Sequence, residues 1–166
     1  QVLDGGYQSA VAEGFPVTRE STVPKKTSPY PVREFRLPLA GMTDVDSARQ
    51  NPGAMVVDVR DSDRFNGIKE PIDLIAGHIP GAVNIPFATN LNSEGKFLSP
   101  DELRSKYQQA FGEITARQVI VHCGSGVTAC HTLLALDYAG MEIPHLYVGS
   151  WSEWSRNDNP LEPERK

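Results

Sequence analysis

The sequence predicts an α/β fold with a mainly parallel central sheet covered by helices on both faces. Short apolar segments of strand type alternate with helix-type segments along most of the chain, which is the order that such sheets require. The length of 166 residues leaves room for one full domain of this class and a little more. The composition, 39% hydrophobic and 22% charged, is typical of a soluble globular protein.

The first half of the predicted domain holds two helices and two strands. A helix is expected at residues 43–49 with Thr43 as its N-cap, and a short apolar strand at residues 54–59. Another helix is expected to start at residues 61–65. A long loop interrupted by prolines follows it, and then a short strand at residues 82–85.

The second half is predicted from clearer signals. The motif Ser99-Pro100-Asp101-Glu102 combines a serine N-cap, a proline at the first helical position and a glutamate that closes a capping box. A helix is therefore expected from there to about residue 111, with Gly112 ending it. The remaining elements are a strand at 118–122, a helix at 128–139 stopped by Gly140, and a strand at 145–148.

The segment 119–136 carries the strongest chemical signal. Its apolar strand ends at Cys123, four small or apolar residues follow, and Thr128 opens a helix rich in leucine and alanine. A cysteine in this position faces a helix N-terminus and is ringed by backbone N–H groups. Both features favour negative charge and hence thiolate over thiol. The sequence therefore predicts a cysteine nucleophile in a cradle of backbone N–H groups, with a buried strand-end cysteine as the alternative.

Charge and cysteine content narrow the functional classes. The net charge of −5 argues against nucleic acid and anionic membranes as partners. No apolar run approaches the ~18 residues of a membrane span. The two cysteines form neither a disulfide framework nor a zinc-site spacing, so no metal site is expected. No cofactor is expected either. A reducing compartment, the cytoplasm, is the predicted location.

Two similar pieces lie at the ends of the chain. Residues 5–10 resemble residues 149–154, and each copy reads as a strand, a glycine turn, a short helix and a proline stop. The repetition predicts that residues 1–20 are the remnant of a preceding domain. Residues 21–38, rich in proline, are the expected linker, and residues 39–166 are the main domain. Coincidence between two strand–helix endings is the alternative.

Four segments of the main domain form a recognisable series. They are residues 57–60 followed by Arg64-Phe65, residues 77–86 (GHIPGAVNIP), residues 123–130 (CGSGVTAC) and residues 149–154 (GSWSEW). In this order they resemble the C-terminal, catalytic domain of two-domain rhodanese-like sulfurtransferases. The resemblance implies a rhodanese-like three-layer fold for residues 39–166, and residues 1–17 look like the end of that family's N-terminal domain.

The same resemblance implies a sulfurtransferase that works through a persulfide. The thiolate of Cys123 would take a sulfur atom from a small-molecule donor and pass it to cyanide, a thiol or thioredoxin. The loop at 123–128 looks like that of 3-mercaptopyruvate sulfurtransferases, whereas thiosulfate-preferring relatives carry cationic side chains there. 3-Mercaptopyruvate is therefore the first expected donor, and thiosulfate is the second.

The site residues are also assigned by this resemblance. Cys123 is the expected nucleophile, and Ser125 is expected to polarise or protonate the donor. Arg64 is expected to bind the donor's carboxylate through two parallel N–H contacts. The substrate-binding loop is expected to include Gly124, Gly126, Val127 and Thr128.

The chain departs from the family pattern in two ways. The second substrate arginine of 3-mercaptopyruvate sulfurtransferases, eight or nine residues after Arg64, has no counterpart, since residues 70–73 read Glu-Pro-Ile-Asp. The histidine and aspartate of the family's serine relay belong to the first domain. A preceding domain or a second copy of the chain is therefore an expected partner, and a persulfide carrier with little turnover is an alternative function.

Two other residues have expected roles, and position 129 bears on an alternative function. Arg60 is expected to pair with Asp58 or Asp61 rather than with a substrate, and Cys130 is expected to pack in the core. A cysteine phosphatase is disfavoured because position 129, where such loops carry arginine, is alanine.

Overall fold

The computed structural model describes residues 2–31, 34 and 36–163. Its strands are β1 (Leu39–Ala40), β2 (Met55–Asp58), β3 (Val83–Asn84), β4 (Val119–His122) and β5 (His145–Tyr147). They form one sheet in the order β1-β5-β4-β2-β3, and every neighbouring pair is parallel. The predicted α/β class with a parallel central sheet is therefore confirmed.

Helices cover both faces of the sheet. The α-helices of the described residues are α1 (Gly6–Ala12), α2 (Met42–Arg49), α3 (Ser62–Phe65), α4 (Pro100–Phe111), α5 (Val127–Tyr138) and α6 (Ser150–Trp154), of which α2, α4, α5 and α6 pack on the sheet. Val57 and Val121 point into a core that they share with α4 and α5. Val56 and Ile120 are their neighbours in β2 and β4, and they point into a second core with α2 and α6. The three-layer architecture is thus built by apolar side chains that alternate between the two faces.

Helix α4 begins where the capping motif predicts. Ser99 Oγ accepts a hydrogen bond from the Glu102 N–H, and a carboxylate oxygen of Glu102 accepts one from the Ser99 N–H at 2.9 Å. Gly112 ends the helix with a φ of 57°, a left-handed conformation that glycine adopts without a steric penalty. Both ends of this helix were predicted correctly, because each end is set by residues that are neighbours in the sequence.

Three details differ from the prediction. Helix α2 is capped by Gly41 rather than Thr43, and the Asp44 side chain accepts a hydrogen bond from the Gly41 N–H at 2.8 Å. Helix α5 begins at Val127, one residue before Thr128, because Gly126 is its N-cap. Strand β1 was not predicted, since two residues are too few to show a periodic pattern.

The N-terminal segment is a single short helix. Helix α1 buries none of its residues, and the described residues between 13 and 38 form no helix or strand. Gly6 and Ser150, which the proposed repeat aligns, both begin a helix and have φ values of 62° and 55°. The duplication, like the division into remnant, linker and main domain, stays a prediction.

The sheet directs the carboxyl ends of β2, β4 and β5 to the same edge. Cys123 follows β4 there, Arg60 follows β2 by two residues, and α6 follows β5. Ligands of parallel sheets bind at this edge. In the described residues, none of the helices has the length and apolar character needed to cross a lipid bilayer.

Candidate active site

Cys123 lies in a tight loop between β4 and α5. Only 2% of its surface is exposed to solvent. The loop turns at Gly126, whose φ of 82° is left-handed, and a Cβ atom at this position would lie 3.0 Å from the Val148 carbonyl oxygen. Gly126 is therefore needed for both its backbone conformation and its lack of a side chain.

The loop offers a row of unused backbone donors. Within the part of the chain that the structure describes, the N–H groups of residues 124–128 donate to no protein acceptor. They belong to the residues directly after Cys123, at the start of the twelve-residue helix α5. Unpaired N–H groups at a helix N-terminus stabilise negative charge. The arrangement can therefore hold an anionic sulfur attached to Cys123.

The start of α6 holds the cysteine in place. The Cys123 N–H donates to Ser150 Oγ at 3.2 Å, and the Cys123 carbonyl accepts from the Trp151 N–H at 3.0 Å. The Ser152 N–H donates to the Gly124 carbonyl at 2.9 Å. The sequence indicated the helix that carries these three residues but not their contacts with the loop.

His122 supports the loop from inside the sheet. Its side chain is fully buried, and Nδ1 lies 3.1 Å from the Cys123 carbonyl oxygen. Burial lowers the pKa of His122 below its usual value, although the nearby Asp58 carboxylate favours the charged form. An uncharged imidazole can still donate one hydrogen bond to this carbonyl, so His122 is suited to positioning the loop.

Arg60 is held in a buried ion pair, as the sequence predicted. Its Nε donates to the Asp58 carboxylate at 2.9 Å, and its Nη2 donates to the Gly77 carbonyl at 2.8 Å. Its guanidinium also stacks over the Trp151 ring at 4.8 Å and contacts a Glu70 oxygen at 3.3 Å. Both partners of the Asp58 pair are essentially inaccessible, so Arg60 is a structural residue beneath the site.

Arg64 reaches the site but already contacts two carboxylates. Its Nε donates to Glu70 at 3.0 Å, and its Nη2 lies 2.9 Å from Glu70 Oε1 and 3.0 Å from Asp73 Oδ2. Among the described residues, Nη1 alone of the three guanidinium nitrogens has no hydrogen-bond partner. Nε and Nη2, which could have formed the two parallel N–H contacts expected with a donor carboxylate, therefore already bind carboxylates of the protein itself.

Hydrogen bonds also hold in place Glu70 and Asp73, the two carboxylates that contact Arg64. Burial disfavours the ionised form of Glu70, yet hydrogen bonds from Arg64 and from the N–H groups of Ile72 and Asp73 lower its pKa below the usual value. Asp73 accepts a short hydrogen bond from Ser152 Oγ, on the same helix start that holds Cys123. The start of α6 therefore binds both the cysteine loop and the group formed by Arg64, Glu70 and Asp73, the Arg64 cluster.

A cavity of about 230 Å³ opens over the cysteine. Its lining includes most of the predicted site residues, although Val127 is 73% exposed and Ser125 is also exposed. The sequence analysis did not assign Ile72, Asp73 and Ser152 to the site. The departure from the family pattern at residues 70–73 was the signal that could have indicated the first two. The lining residues are Arg64, Ile72, Asp73, Cys123, Gly124, Ser125, Val127, Thr128 and Ser152.

Cys130 differs from its expected place. It is exposed rather than packed in the core, and it borders a separate apolar groove with Leu133 and Leu134. The two cysteines are both free thiols. Cys123 is the one that lies at the sheet edge and in the cavity.

Comparison with known proteins identifies the family. The profile of the rhodanese-like domain matches residues 42–157. The chain is 40% identical over 154 residues to a probable 3-mercaptopyruvate sulfurtransferase of Pseudomonas aeruginosa, covering 92% of this chain and 54% of that protein. It is 36% identical over 162 residues to thiosulfate sulfurtransferase of Gallus gallus, covering 96% and 54%.

A solved structure agrees with the sequence matches. The 3-mercaptopyruvate sulfurtransferase from Leishmania major superposes with a TM-score of 0.69 at 31% identity, covering 92% of this chain and 42% of that one. The chain spans about half the length of the curated relatives it matches. The profile match covers most of the chain, and it includes the cysteine loop, the Arg64 cluster and the start of α6. The chain therefore belongs to the family of rhodanese-like domains.

Proposed function

We propose that this chain is a sulfurtransferase that carries sulfane sulfur as a persulfide on Cys123. The observation that carries the proposal is the cavity in which Cys123 meets a loop of unpaired N–H groups and a side wall formed by Arg64. The N–H groups would hold the outer, anionic sulfur of the persulfide. The names of the relatives support the same class of reaction.

The transfer divides into two displacements on sulfur. First, the Cys123 thiolate attacks the sulfur of 3-mercaptopyruvate; the carbon–sulfur bond breaks, its electron pair stays on carbon, and protonation gives pyruvate. The sulfur remains on Cys123 as a persulfide. Second, cyanide or a thiol attacks this outer sulfur, and the electron pair of the sulfur–sulfur bond returns to Cys123 as thiolate.

3-Mercaptopyruvate is the donor that we propose first. The side chains of the loop residues 124–128 carry no charge, and Nη1 of Arg64 remains for one oxygen of a carboxylate. Ser125 lines the cavity with an exposed hydroxyl that can polarise the donor's carbonyl. Thiosulfate is the second donor, in line with the second group of relatives.

The proposal extends to partners and location. A thiol such as thioredoxin is the proposed physiological acceptor, and a preceding domain or a second copy of the chain is the proposed partner. We place the protein in a reducing compartment, the cytoplasm, because both cysteines are free and a nucleophilic thiol must stay reduced.

Cyanide-acceptor assays with each donor test the proposal. We expect sulfur transfer from 3-mercaptopyruvate to exceed that from thiosulfate. Cys123→Ser should reduce both to the uncatalysed background, because a hydroxyl cannot form the persulfide. The matched control is Cys130→Ser, which changes a cysteine outside the cavity and should keep full activity.

Mass spectrometry of the same samples separates the alternatives. A sulfur atom on Cys123 after incubation with 3-mercaptopyruvate, together with turnover, supports the enzyme. A stable added sulfur with negligible turnover would indicate a carrier module instead. An unmodified Cys123 and no turnover with either donor, in a folded protein, would refute the proposal.

A further inference from the structure

The Arg64 cluster has one carboxylate more than its guanidinium can neutralise. Glu70 and Asp73 both bind Arg64, while Arg60 is engaged by Asp58. The side chains of these carboxylates are no more than 4% exposed, so water screens them poorly. Asp73, unlike Glu70, lines the cavity itself.

The cluster lies directly against the reactive loop. A Cβ atom built on Gly124 would lie 3.3 Å from Arg64 Nη2 and 3.5 Å from Asp73 Oδ2. Gly124 is the residue that follows Cys123. Any donor that brings its sulfur to Cys123 therefore meets the Asp73 carboxylate as well as the arginine.

Asp73 is also locked in this position. One of its oxygens binds Arg64 and the other accepts from Ser152 Oγ, so both ends of the carboxylate are held. A donor anion cannot replace it at Nη2 without breaking both contacts. The remaining nitrogen, Nη1, can bind one donor oxygen but cannot form a fork with Nη2.

We propose that Asp73 determines the charge class of the sulfur donor, so that the pocket accepts donors with one negative charge or none and disfavours dianions. This inference rests on the proposed sulfur transfer and makes it more specific. 3-Mercaptopyruvate with a protonated thiol is a monoanion, whereas thiosulfate is a dianion. Neutral or monoanionic persulfides belong to the accepted class.

Alkylation of Cys123 tests the pocket charge without sulfur chemistry. Iodoacetate and iodoacetamide react with the same thiolate but differ by one negative charge. In a Cys130→Ser background, Asp73→Asn should raise the ratio of the iodoacetate rate to the iodoacetamide rate roughly threefold to tenfold, because it removes a nearby, poorly screened negative charge. Asp101→Asn is the matched control, since its side chain is 90% exposed and lies outside the cavity.

The unsubstituted pocket supplies a second, independent measurement. In the same Cys130→Ser protein, the iodoacetate-to-iodoacetamide ratio, normalised to a neutral model thiol, should be low and should rise with ionic strength as salt screens the repulsion. A ratio above that of the model thiol, falling with salt, would overturn the inference. An unchanged ratio in folded Asp73→Asn would also overturn it.

Donor kinetics then connect the pocket charge to specificity. Asp73→Asn should lower the KM for thiosulfate more than the KM for 3-mercaptopyruvate, with little change in kcat. If neither donor transfers sulfur but the alkylation ratio responds, the pocket charge stands and the proposed function fails. If sulfur transfer occurs and the ratio does not respond, the role of Asp73 fails.

Discussion

Ser150 holds the reactive loop through one hydroxyl group. Its Oγ donates to the Tyr147 carbonyl at 2.9 Å and accepts from the Cys123 N–H at 3.2 Å. Among the described residues it is the one non-glycine residue with a positive φ, at 55°. Side chains disfavour this conformation, so the two buried hydrogen bonds must compensate for its strain.

Replacing Ser150 with alanine should therefore weaken both stability and catalysis. The variant leaves the buried Cys123 N–H without an acceptor, and we expect a loss of about 2 kcal/mol in the free energy of unfolding. Urea denaturation measures this loss. Sulfur transfer should also slow, because the backbone of the nucleophile is no longer fixed.

Ser155 provides a control for this substitution. It is 4% exposed, and within the described residues its Oγ has no hydrogen-bond partner. Ser155→Ala should leave stability the same or slightly higher, since no bond is lost and no polar group stays buried. Equal destabilisation by both variants would contradict the role given to the Ser150 hydroxyl.

The place of Cys123 at the cavity was predictable at this scale, but the contacts that support its loop were not. Cys123 is marked by a strand, a small-residue loop and a helix that are contiguous in sequence. Ser152 and Asp73 form their hydrogen bond across 79 residues, and no local pattern records such a contact. Arg64 lines the cavity, but its carboxylate partners Glu70 and Asp73 lie six and nine residues further along the chain in a loop, where no regular pattern predicts a contact.

Elements with strong caps were predicted most accurately. The start of α4 follows its capping box. Helix α2 instead begins at Met42, because Gly41 is its N-cap and the Asp44 side chain accepts a hydrogen bond from the Gly41 N–H. Strand β1 exists because its backbone pairs with β5, a long-range interaction that two residues cannot signal. Helix ends are thus readable from sequence when the cap is a side chain and less so when it is glycine.

Removing the α4 cap should cost stability without affecting chemistry. Ser99→Ala removes the acceptor for the Glu102 N–H, and we expect a loss of about 1 kcal/mol. Ser105→Ala in the same helix is the matched control, because that residue is exposed and lies in the interior of the helix. Thermal denaturation compares the two; a larger loss in Ser105→Ala would refute the assignment, as would lower sulfur transfer in Ser99→Ala.

At the scale of the whole molecule, a chain of charged groups joins separate elements. It runs from Asp58 at the end of β2 through Arg60, Glu70 and Arg64 to Asp73. Ser152 then connects it to α6. Glu70 is central because it contacts both arginines, so its ionisation should influence the entire sheet edge.

The stabilising effect of Glu70 should depend on pH. Hydrogen bonds lower its pKa in the folded state, so its contribution is fully present above its ordinary value of 4.5 and is lost as the pH falls through the lowered value. At pH 7, Glu70→Gln should cost about 2 kcal/mol. This difference from the wild type should shrink in acid, as measured by urea denaturation across the pH range.

The solvent-exposed ion pair of Glu142 and Arg117 provides a control for Glu70→Gln. Glu142 contacts Arg117 at 2.9 Å, but both side chains are more than half exposed. Glu142→Gln should change stability by less than about 0.5 kcal/mol at either pH. A Glu70→Gln effect as small as this, or one that grows in acid, would mean that the buried network does not stabilise the fold.

The contacts of Trp151 predict that its fluorescence responds to changes at the site. Its indole N–H donates to the Ile75 carbonyl at 2.8 Å, its ring lies under Arg60, and its backbone N–H binds the Cys123 carbonyl. Indole fluorescence responds to hydrogen bonding and to nearby charge. With Trp154 replaced by phenylalanine, we expect the emission of Trp151 to change when the proposed persulfide forms on Cys123, so that stopped-flow fluorescence would follow each half-reaction without any added dye.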